Sequence, residues 1–314
     1  MEQRTRRARA VDIAGAARTA LVRTLRGGLD FATRVYNKAG EDDIFFLAGG
    51  IAFNILVAAI PFLLLVVAIF GFVLQNFVED PEQTAVNYVL SILPPSQTIV
   101  NFTRTQVEGI INGRTRFGIV GLVLFVWSST RLFGTLRSVL RNVFDLQEDR
   151  GIIRGKIFDA EMVIVAGTLF LANTGITLAI EAVRSFGSAW MARRGYQELP
   201  VMEAVYAQIL AFGFIFAMFV LIYRYLPLRQ TPWRISLVAA TFTSVVWELL
   251  KSVFTWYVTY VADYRSTYTF SWLSTLIVLV FWIYYSAVVF ILGGEVGQVY
   301  DLYRIRRRQK ELLE

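Results

Sequence analysis

The sequence has 314 residues, of which 56% are apolar and 18% are charged, and its formal net charge is +7. Ordinary soluble domains contain roughly 45–50% apolar and about 25% charged residues, so this composition indicates a membrane protein. The chain has no cysteine and no histidine, which excludes disulfides, thiolate nucleophiles and Cys/His zinc sites. We expect no metal and no other cofactor.

The first 43 residues form a basic arm, which we expect to lie in the cytoplasm. They contain nine Lys or Arg residues, and no apolar stretch before Gly27 resembles the core of a cleavable signal peptide. Each Arg near a negatively charged leaflet contributes roughly 1 kcal/mol of attraction. We therefore predict that residues 1–40 contact anionic lipid as a peripheral element outside the helix bundle. Solvated charge without lipid contact is the alternative.

Apolar runs along the rest of the chain predict an all-α, polytopic membrane protein with a bundle of six transmembrane helices. Runs of at least 18 apolar residues are long enough to cross a hydrocarbon layer about 30 Å thick. The predicted transmembrane domain, 44–296, contains segments at about 44–74, 117–139, 157–182, 203–226, 235–261 and 270–296, and a basic cytoplasmic tail, 297–314, follows it. Pro61 lies inside the first segment and predicts a tilt or kink there.

The longest predicted connection, residues 75–116, is expected on the outer face of the membrane. Apolar residues recur every three or four positions on both sides of Pro94 and Pro95, which is the spacing of amphipathic helices. Because prolines interrupt helices, the pattern predicts a helix, a break and a second helix lying on the outer surface. A loop that only joins two helix ends is the alternative.

Lys and Arg residues are distributed unequally between the predicted connections. With the N-terminus inside, 21 of the 31 lie in cytoplasmic pieces and 7 lie on the opposite side. Cytoplasmic loops carry an excess of these residues, so both termini are predicted to be cytoplasmic. The positive charge then serves topology and contact with anionic headgroups, and we expect no nucleic-acid partner.

The fifth segment carries polar residues in a single stripe. They follow one another at helical spacing, which places them on one face: Thr241, Ser244, Glu248, Lys251, Ser252, Thr255 and Thr259. A charge at mid-bilayer costs about 2.5–3.5 kcal/mol, so such residues normally pair or line a cavity. We expect Glu248 and Lys251 to be buried in the bundle as a neutralising pair. They act either as structural contacts between helices or as part of a substrate or proton site.

Two further polar residues have predicted depths that allow them to meet this pair. Asn54 falls in the inner half of the first segment, and Arg131 falls past the middle of the second. A cluster of Asn54, Arg131, Glu248 and Lys251 has net positive charge, and it would suit an anionic or amphipathic solute. These four residues are the predicted substrate-binding site.

Glu295 lies at the C-terminal end of an apolar helix, where the helix dipole disfavours a carboxylate. It therefore needs a cation. Arg137 and Arg141 have similar predicted depths, and Asp159 and Glu161 at the start of the third segment compete for them. We interpret this inner cluster as structural, with an inner gate as the alternative.

Gly293 and Gly297 flank Glu295 as a pair of small residues four positions apart, a spacing that lets another helix approach closely. Together with Pro61, they are the backbone features predicted to have a structural or gating role.

An enzymatic role is not expected, and no catalytic residue is predicted. Metal-dependent hydrolysis needs clustered carboxylates, and the candidates are the run Glu41, Asp42 and Asp43 and the pair Asp159 and Glu161. The first group fits better as caps near a helix N-terminus.

Three stretches resemble the YihY/BrkB family of membrane proteins. LAGGIAFNILVAAIPFLLLV at 47–66 is similar to its first segment, and WELLKSVFTWYV at 247–258 is similar to its fifth, with Glu248 and Lys251 on the Glu-x-x-Lys pair. FWIYYSAVVFILGGEV at 281–296 resembles its last segment, with Gly294 where alanine is usual. The resemblance covers roughly residues 40–300. It implies a bacterial inner-membrane protein of six helices, and the family's older name, ribonuclease BN, and its virulence-factor label do not define a chemistry.

Two classes of function follow from these observations. The first is a transporter or exporter that moves an anionic or amphipathic solute along a polar path through the bundle. The second is an envelope factor that does not transport and that organises lipids or partner proteins. An open polar cavity bearing Glu248 and Lys251 favours the first, and a sealed pair favours the second. A homo-oligomer is compatible with either.

Overall fold

The fold is given by a computed structural model that describes residues 26–81, 83–84, 86–87, 97–146, 151, 153–169, 171, 175, 200–227, 229–260 and 271–313. The described residues form α-helices and connections, and this part of the chain contains no strand. The principal helices are α1 (26–41), α2 (Ile44–Phe77), α3 (Gln97–Val143), α4 (153–169), α5 (Pro200–Tyr225), α6 (Trp233–Tyr260) and α7 (Ser271–Leu313).

The predicted all-α membrane architecture is confirmed. Four stretches of helix are long and apolar enough to cross a membrane: Ile44–Phe77, Arg104–Val143, Trp233–Tyr260 and Leu276–Leu312. They match the first, second, fifth and sixth predicted segments. The fourth segment corresponds to α5, and the third begins in α4, while residues 176–182 lie outside the described part. The number of six crossings stays a prediction.

Helices α2 and α3 form a long antiparallel pair. At 1.5 Å per residue, the 34 residues of α2 extend about 51 Å and the 47 residues of α3 about 70 Å. The backbones come close at two glycines. A Cβ atom on Gly71 would lie 2.9 Å from the carbonyl oxygen of Ile110, and one on Gly121 would lie 3.1 Å from Cβ of Leu64. Pro61 is buried within α2, which continues through it.

The outer connection differs from the predicted arrangement. Residues 97–116, expected as a separate helix on the surface, continue without interruption into the predicted second segment. This stretch contains no proline, so nothing in its backbone chemistry ends the helix. Pairing with α2, which itself continues to Phe77, extends the same contact outward. The predicted break at Pro94 and Pro95 lies outside the described residues.

Helix α7 is the central element of the bundle, because it packs against α2, α3 and α6. The core lies at the end of the bundle where α2 and α6 begin and α3 and α5 end, and it includes Ile51, Leu140, Tyr223, Ile235 and Ile291. Towards the other end, large apolar side chains of α2, α3 and α6 are exposed. Lipid tails are as apolar as these side chains, so this surface suits hydrocarbon.

The predicted close approach at Gly293 and Gly297 is confirmed. A Cβ atom on Gly293 would collide with the Thr243 hydroxyl of α6, and one on Gly297 would lie 3.0 Å from Cβ of Ala239. The hydroxyl of Tyr223 on α5 donates to the carbonyl oxygen of Phe290 at 2.5 Å and shares a hydrogen bond of 2.8 Å with Thr243. Because Gly293 and Gly297 have no side chains, α5, α6 and α7 come close enough to form buried hydrogen bonds with one another.

The prediction that residues 1–40 lie outside the helix bundle is wrong for residues 26–40, whereas their contact with anionic lipid stays a prediction. This stretch belongs to α1, which packs against the C-terminal part of α7, with Phe31 and Tyr303 in ring contact at 5.8 Å between centroids. Ala39 is buried in the core. The apolar positions of α1 are spaced so that one face is available for burial. The prediction considered only the number of arginines and not this spacing. Residues 1–25 lie outside the described part.

Replacing Gly293 by alanine tests the importance of this approach. We expect Gly293→Ala to destabilise the protein by about 2 kcal/mol, because the added methyl group forces α6 and α7 apart. Gly213→Ala in α5 is the matched control, since its Cβ would meet nothing within 4 Å. The control should be neutral or slightly stabilising. Thermal unfolding in detergent measures both, and equal effects would contradict the packing argument.

Candidate functional site

Asn54 and Arg131 line one cavity between α2 and α3, with a volume of about 730 Å³. Asn54 Nδ2 donates to Thr135 Oγ1 at 3.1 Å and to the carbonyl oxygen of Gly50 at 2.9 Å, which fixes the register of the two helices. Phe45, Phe46 and Phe53 supply an apolar wall. The cavity therefore combines polar groups from two helices with an aromatic surface.

The Arg131 side chain is exposed where it lines this cavity. Its recorded contact is a cation–π interaction with Trp127, at 5.4 Å from the ring centroid, and within the described residues no carboxylate pairs with it. Asn54 lies ten residues after the start of α2, about 15 Å along the helix, so an upright α2 that entered a hydrocarbon layer of about 30 Å at Ile44 would place it near the middle of the layer. A cation at this depth is costly without a counter-ion.

Glu248 and Lys251 form the predicted ion pair on α6, with Lys251 Nζ 2.8 Å from Glu248 Oε1. The expectation that the pair is buried is wrong, since 24% of the Glu248 side chain and 44% of the Lys251 side chain are exposed. The outer half of the stripe is exposed as well, and its hydroxyls bond back to their own helix, as Thr255 does to the carbonyl oxygen of Lys251 at 2.8 Å. The helix itself satisfies these polar groups.

The four predicted binding residues occupy two places. Asn54 and Arg131 share a cavity, and neither Glu248 nor Lys251 is among its lining residues. Helix α6 packs against α5 and α7, whereas the cavity is formed by α2 and α3. Equal depth in the membrane, on which the prediction rested, does not specify which helices are neighbours.

Arg137 pairs with Asp159 and so connects α3 to α4. Arg137 Nε lies 3.0 Å from Asp159 Oδ1, and Nη2 lies 3.1 Å from Oδ2, a two-point contact with a nearly buried carboxylate. Two parallel hydrogen bonds of this kind fix geometry as well as charge. Glu161, predicted to compete for the same cation, is exposed.

Glu295 is fully buried, and within the described residues neither of its oxygens has a hydrogen-bond partner. The charged groups that face it are Lys38, Asp42 and Asp145, and Arg137 and Arg141 are not among them. Lys38 of α1 is the cation that faces Glu295, but it bonds Asp42 and Asp145, so the predicted pairing of Glu295 with a cation is not found among the described residues. Sequence reasoning missed Lys38 because α1 was placed outside the bundle.

Lys38 connects three parts of the fold. Its Nζ donates to Asp42 Oδ2 and to Asp145 Oδ1, both at 2.9 Å, and Gln298 of α7 donates to the other oxygen of Asp145 at 3.1 Å. Burial lowers the pKa of Lys38, but the hydrogen bonds and charges of Asp145 and Asp42 outweigh it, so the pKa lies above its ordinary value. The ammonium group therefore stays charged.

The long apolar helices, the deep polar groups and the lipid-compatible surface define the chain as an α-helical membrane protein. The family described as Virulence factor BrkB matches residues 35–312. The chain belongs to this family, as the resemblance in its first and last two segments implies. No solved structure matches it significantly.

Relatives from several bacteria are named only as membrane proteins. A UPF0761 membrane protein of Alkalilimnicola ehrlichii is 24% identical over 91% of this chain and 61% of its own length. Another, of Pseudoalteromonas translucida, is 24% identical over 82% of each chain. A Bacillus subtilis protein named as ribonuclease-like, YfkH, is 23% identical over 79% of this chain and 86% of its own length. The chain spans about three fifths of the Alkalilimnicola relative.

A double-mutant cycle tests what the Glu248–Lys251 pair does. Glu248→Gln and Lys251→Met should each lower stability in detergent by about 2 kcal/mol, because each leaves one charge alone on an apolar helix. The double variant should recover stability to within about 0.5 kcal/mol. Additive losses would contradict mutual neutralisation. Transport by a stable double variant then decides whether the pair also belongs to a solute path.

Proposed function

We propose that this protein carries an anionic amphipathic solute across the membrane. The main support for this proposal is the cavity between α2 and α3. In the described part of the chain, the Arg131 guanidinium that lines it lacks a carboxylate partner. A headgroup with negative charge would satisfy that cation, and an apolar tail would lie against the phenylalanine wall. Both halves of an amphipathic solute thus find matching surfaces.

Several features support binding at this cavity. Its volume of about 730 Å³ falls within the range of small-molecule sites, roughly 300–1,000 Å³. Asn54, Thr135 and Ser138 add hydrogen-bonding groups near the cation, and glycines at 49 and 50 leave room for a ligand close to the backbone. The cation–π contact with Trp127 holds the guanidinium in position without neutralising its charge.

One observation favours an envelope factor that does not transport. The Glu248–Lys251 pair lies outside the cavity, so the polar groups of α6 do not extend it. A groove that holds an anionic amphiphile without a path through the bundle would organise lipid instead of moving it. Binding and movement must therefore be measured separately.

We do not extend the ribonuclease-like name of the Bacillus relative to this chain. The sequence has no histidine, and the residues described include no group of three or more His, Cys, Asp or Glu side chains placed to hold a metal ion. Phosphodiester hydrolysis by clustered metals would need such a group. We therefore propose transport and not phosphodiester hydrolysis.

We also propose a bacterial inner-membrane location with six crossings and both termini in the cytoplasm. The excess of Lys and Arg in the predicted cytoplasmic connections supports this orientation. Because the chain contains no cysteine, single cysteines introduced at positions 90, 190 and 265 can be labelled cleanly. All three should react with an impermeant reagent added outside. Labelling of any of them only from the cytoplasm would overturn the topology.

Arg131→Gln tests the proposed carrier. In proteoliposomes, the protein should move a fluorescent short-chain phosphatidylglycerol between leaflets, and the variant should reduce the rate by about tenfold or more, because a charge-assisted contact is lost. Arg116→Gln is the matched control, since Arg116 lies exposed on the same helix outside the cavity. Equal rates for the two variants would contradict the proposal. Binding without movement would favour the envelope factor.

A further inference from the structure

A second cavity lies between α1 and the C-terminal part of α7, separate from the one that contains Arg131. Its volume is about 260 Å³. Its lining consists of Arg34, Asn37, Lys38, Glu41, Val299, Leu302, Tyr303 and Arg306. Three of these residues are cationic and one is acidic, and two further carboxylates, Asp42 and Asp145, bond Lys38.

The two arginines have no carboxylate partner within the described residues. Lys38 is already paired with Asp42 and Asp145, but Arg34 contacts only the Tyr303 ring, at 5.0 Å from its centroid. The same ring packs against Phe31, so its position is fixed from both sides. Arg34 and Arg306 therefore bring two like charges from different helices to one cavity. Both side chains are exposed, and an anion between them would be attracted by both charges.

The position of the cavity suits a phosphate at the level of lipid headgroups. Arg34 lies ten residues before the start of α2 on a helix that runs antiparallel to α7, and Arg306 lies eleven residues, about 16 Å, beyond Glu295. Planar guanidinium groups bind phosphate through paired hydrogen bonds, more specifically than ammonium groups do. Val299 and Leu302 offer apolar contact beside the charges, and Glu41 can accept a hydrogen bond from a hydroxyl group of the ligand.

We propose that this cavity binds a glycerol-phosphate group through Arg34 and Arg306. The group comes either from the headgroup of an anionic phospholipid or from a free phosphate ester, since both present the same chemistry. This assignment does not depend on transport or on Arg131. It also gives the junction of α1 and α7 a ligand that holds the two helices together.

The test compares the two sources on the full-length protein. Native mass spectrometry in detergent with added phosphatidylglycerol measures lipid retention, and calorimetry with glycerol 3-phosphate measures binding of the free ester. The variant carrying Arg34→Gln and Arg306→Gln should lose at least about tenfold in affinity in one of these measurements. Loss of lipid retention alone identifies the headgroup, and loss of ester binding identifies the soluble ligand. Either result supports the site.

Arg308→Gln is the control for attraction by charge, because it removes one positive charge, half of what the double variant removes, from an exposed position of α7 outside the cavity. It should leave both measurements unchanged. An equal loss with Arg308→Gln would show attraction by overall charge and overturn the proposal, as would binding of neither probe by the unmodified protein. Helicity and elution volume confirm that each variant is folded.

Discussion

The close approach of α6 and α7 at Gly293 and Gly297 is the constraint on which the rest of the described bundle depends. Because these positions lack side chains, the Thr243 hydroxyl reaches the backbone of α7, and Tyr223 of α5 joins the same hydrogen-bonded group. In hydrocarbon no water can satisfy these polar groups, so they must find one another. The core forms around this junction, and α2 and α3 also pack against α7.

Charges in the described structure fall into two kinds. Some are paired and connect elements, as Arg137 and Asp159 connect α3 with α4. Others line cavities without a carboxylate partner among the described residues, as Arg131 does in one cavity and Arg34 in another. Paired charges stabilise the arrangement of the helices, whereas a cation facing a cavity retains its capacity to bind an external anion. The second kind therefore identifies the candidate sites.

The sequence predicted the features that depend on composition and local spacing. It did not predict the features that depend on which helices are neighbours in the fold. Apolar runs located the long helices, and the spacing of Gly293 and Gly297 predicted a close helix contact. The i,i+3 spacing predicted the Glu248–Lys251 contact, but exposure depends on which helices surround α6. Lys38 was not predicted as the cation near Glu295 because its position also depends on which helices are neighbours. A count of arginines in the N-terminal arm does not show that one face of α1 packs on α7.

Helix α2 contains 34 consecutive residues without a charge, about 51 Å of apolar helix, whereas a typical hydrocarbon layer measures about 30 Å. An upright α2 would hold roughly 20 Å of that length outside the layer, and leaning or kinking of the helix or local thickening of the bilayer would each reduce this mismatch. Because α3 is packed along α2, both would lean together. The shape of the protein is thus coupled to acyl-chain length: thicker membranes draw this helix pair upright, and thinner ones lay it down.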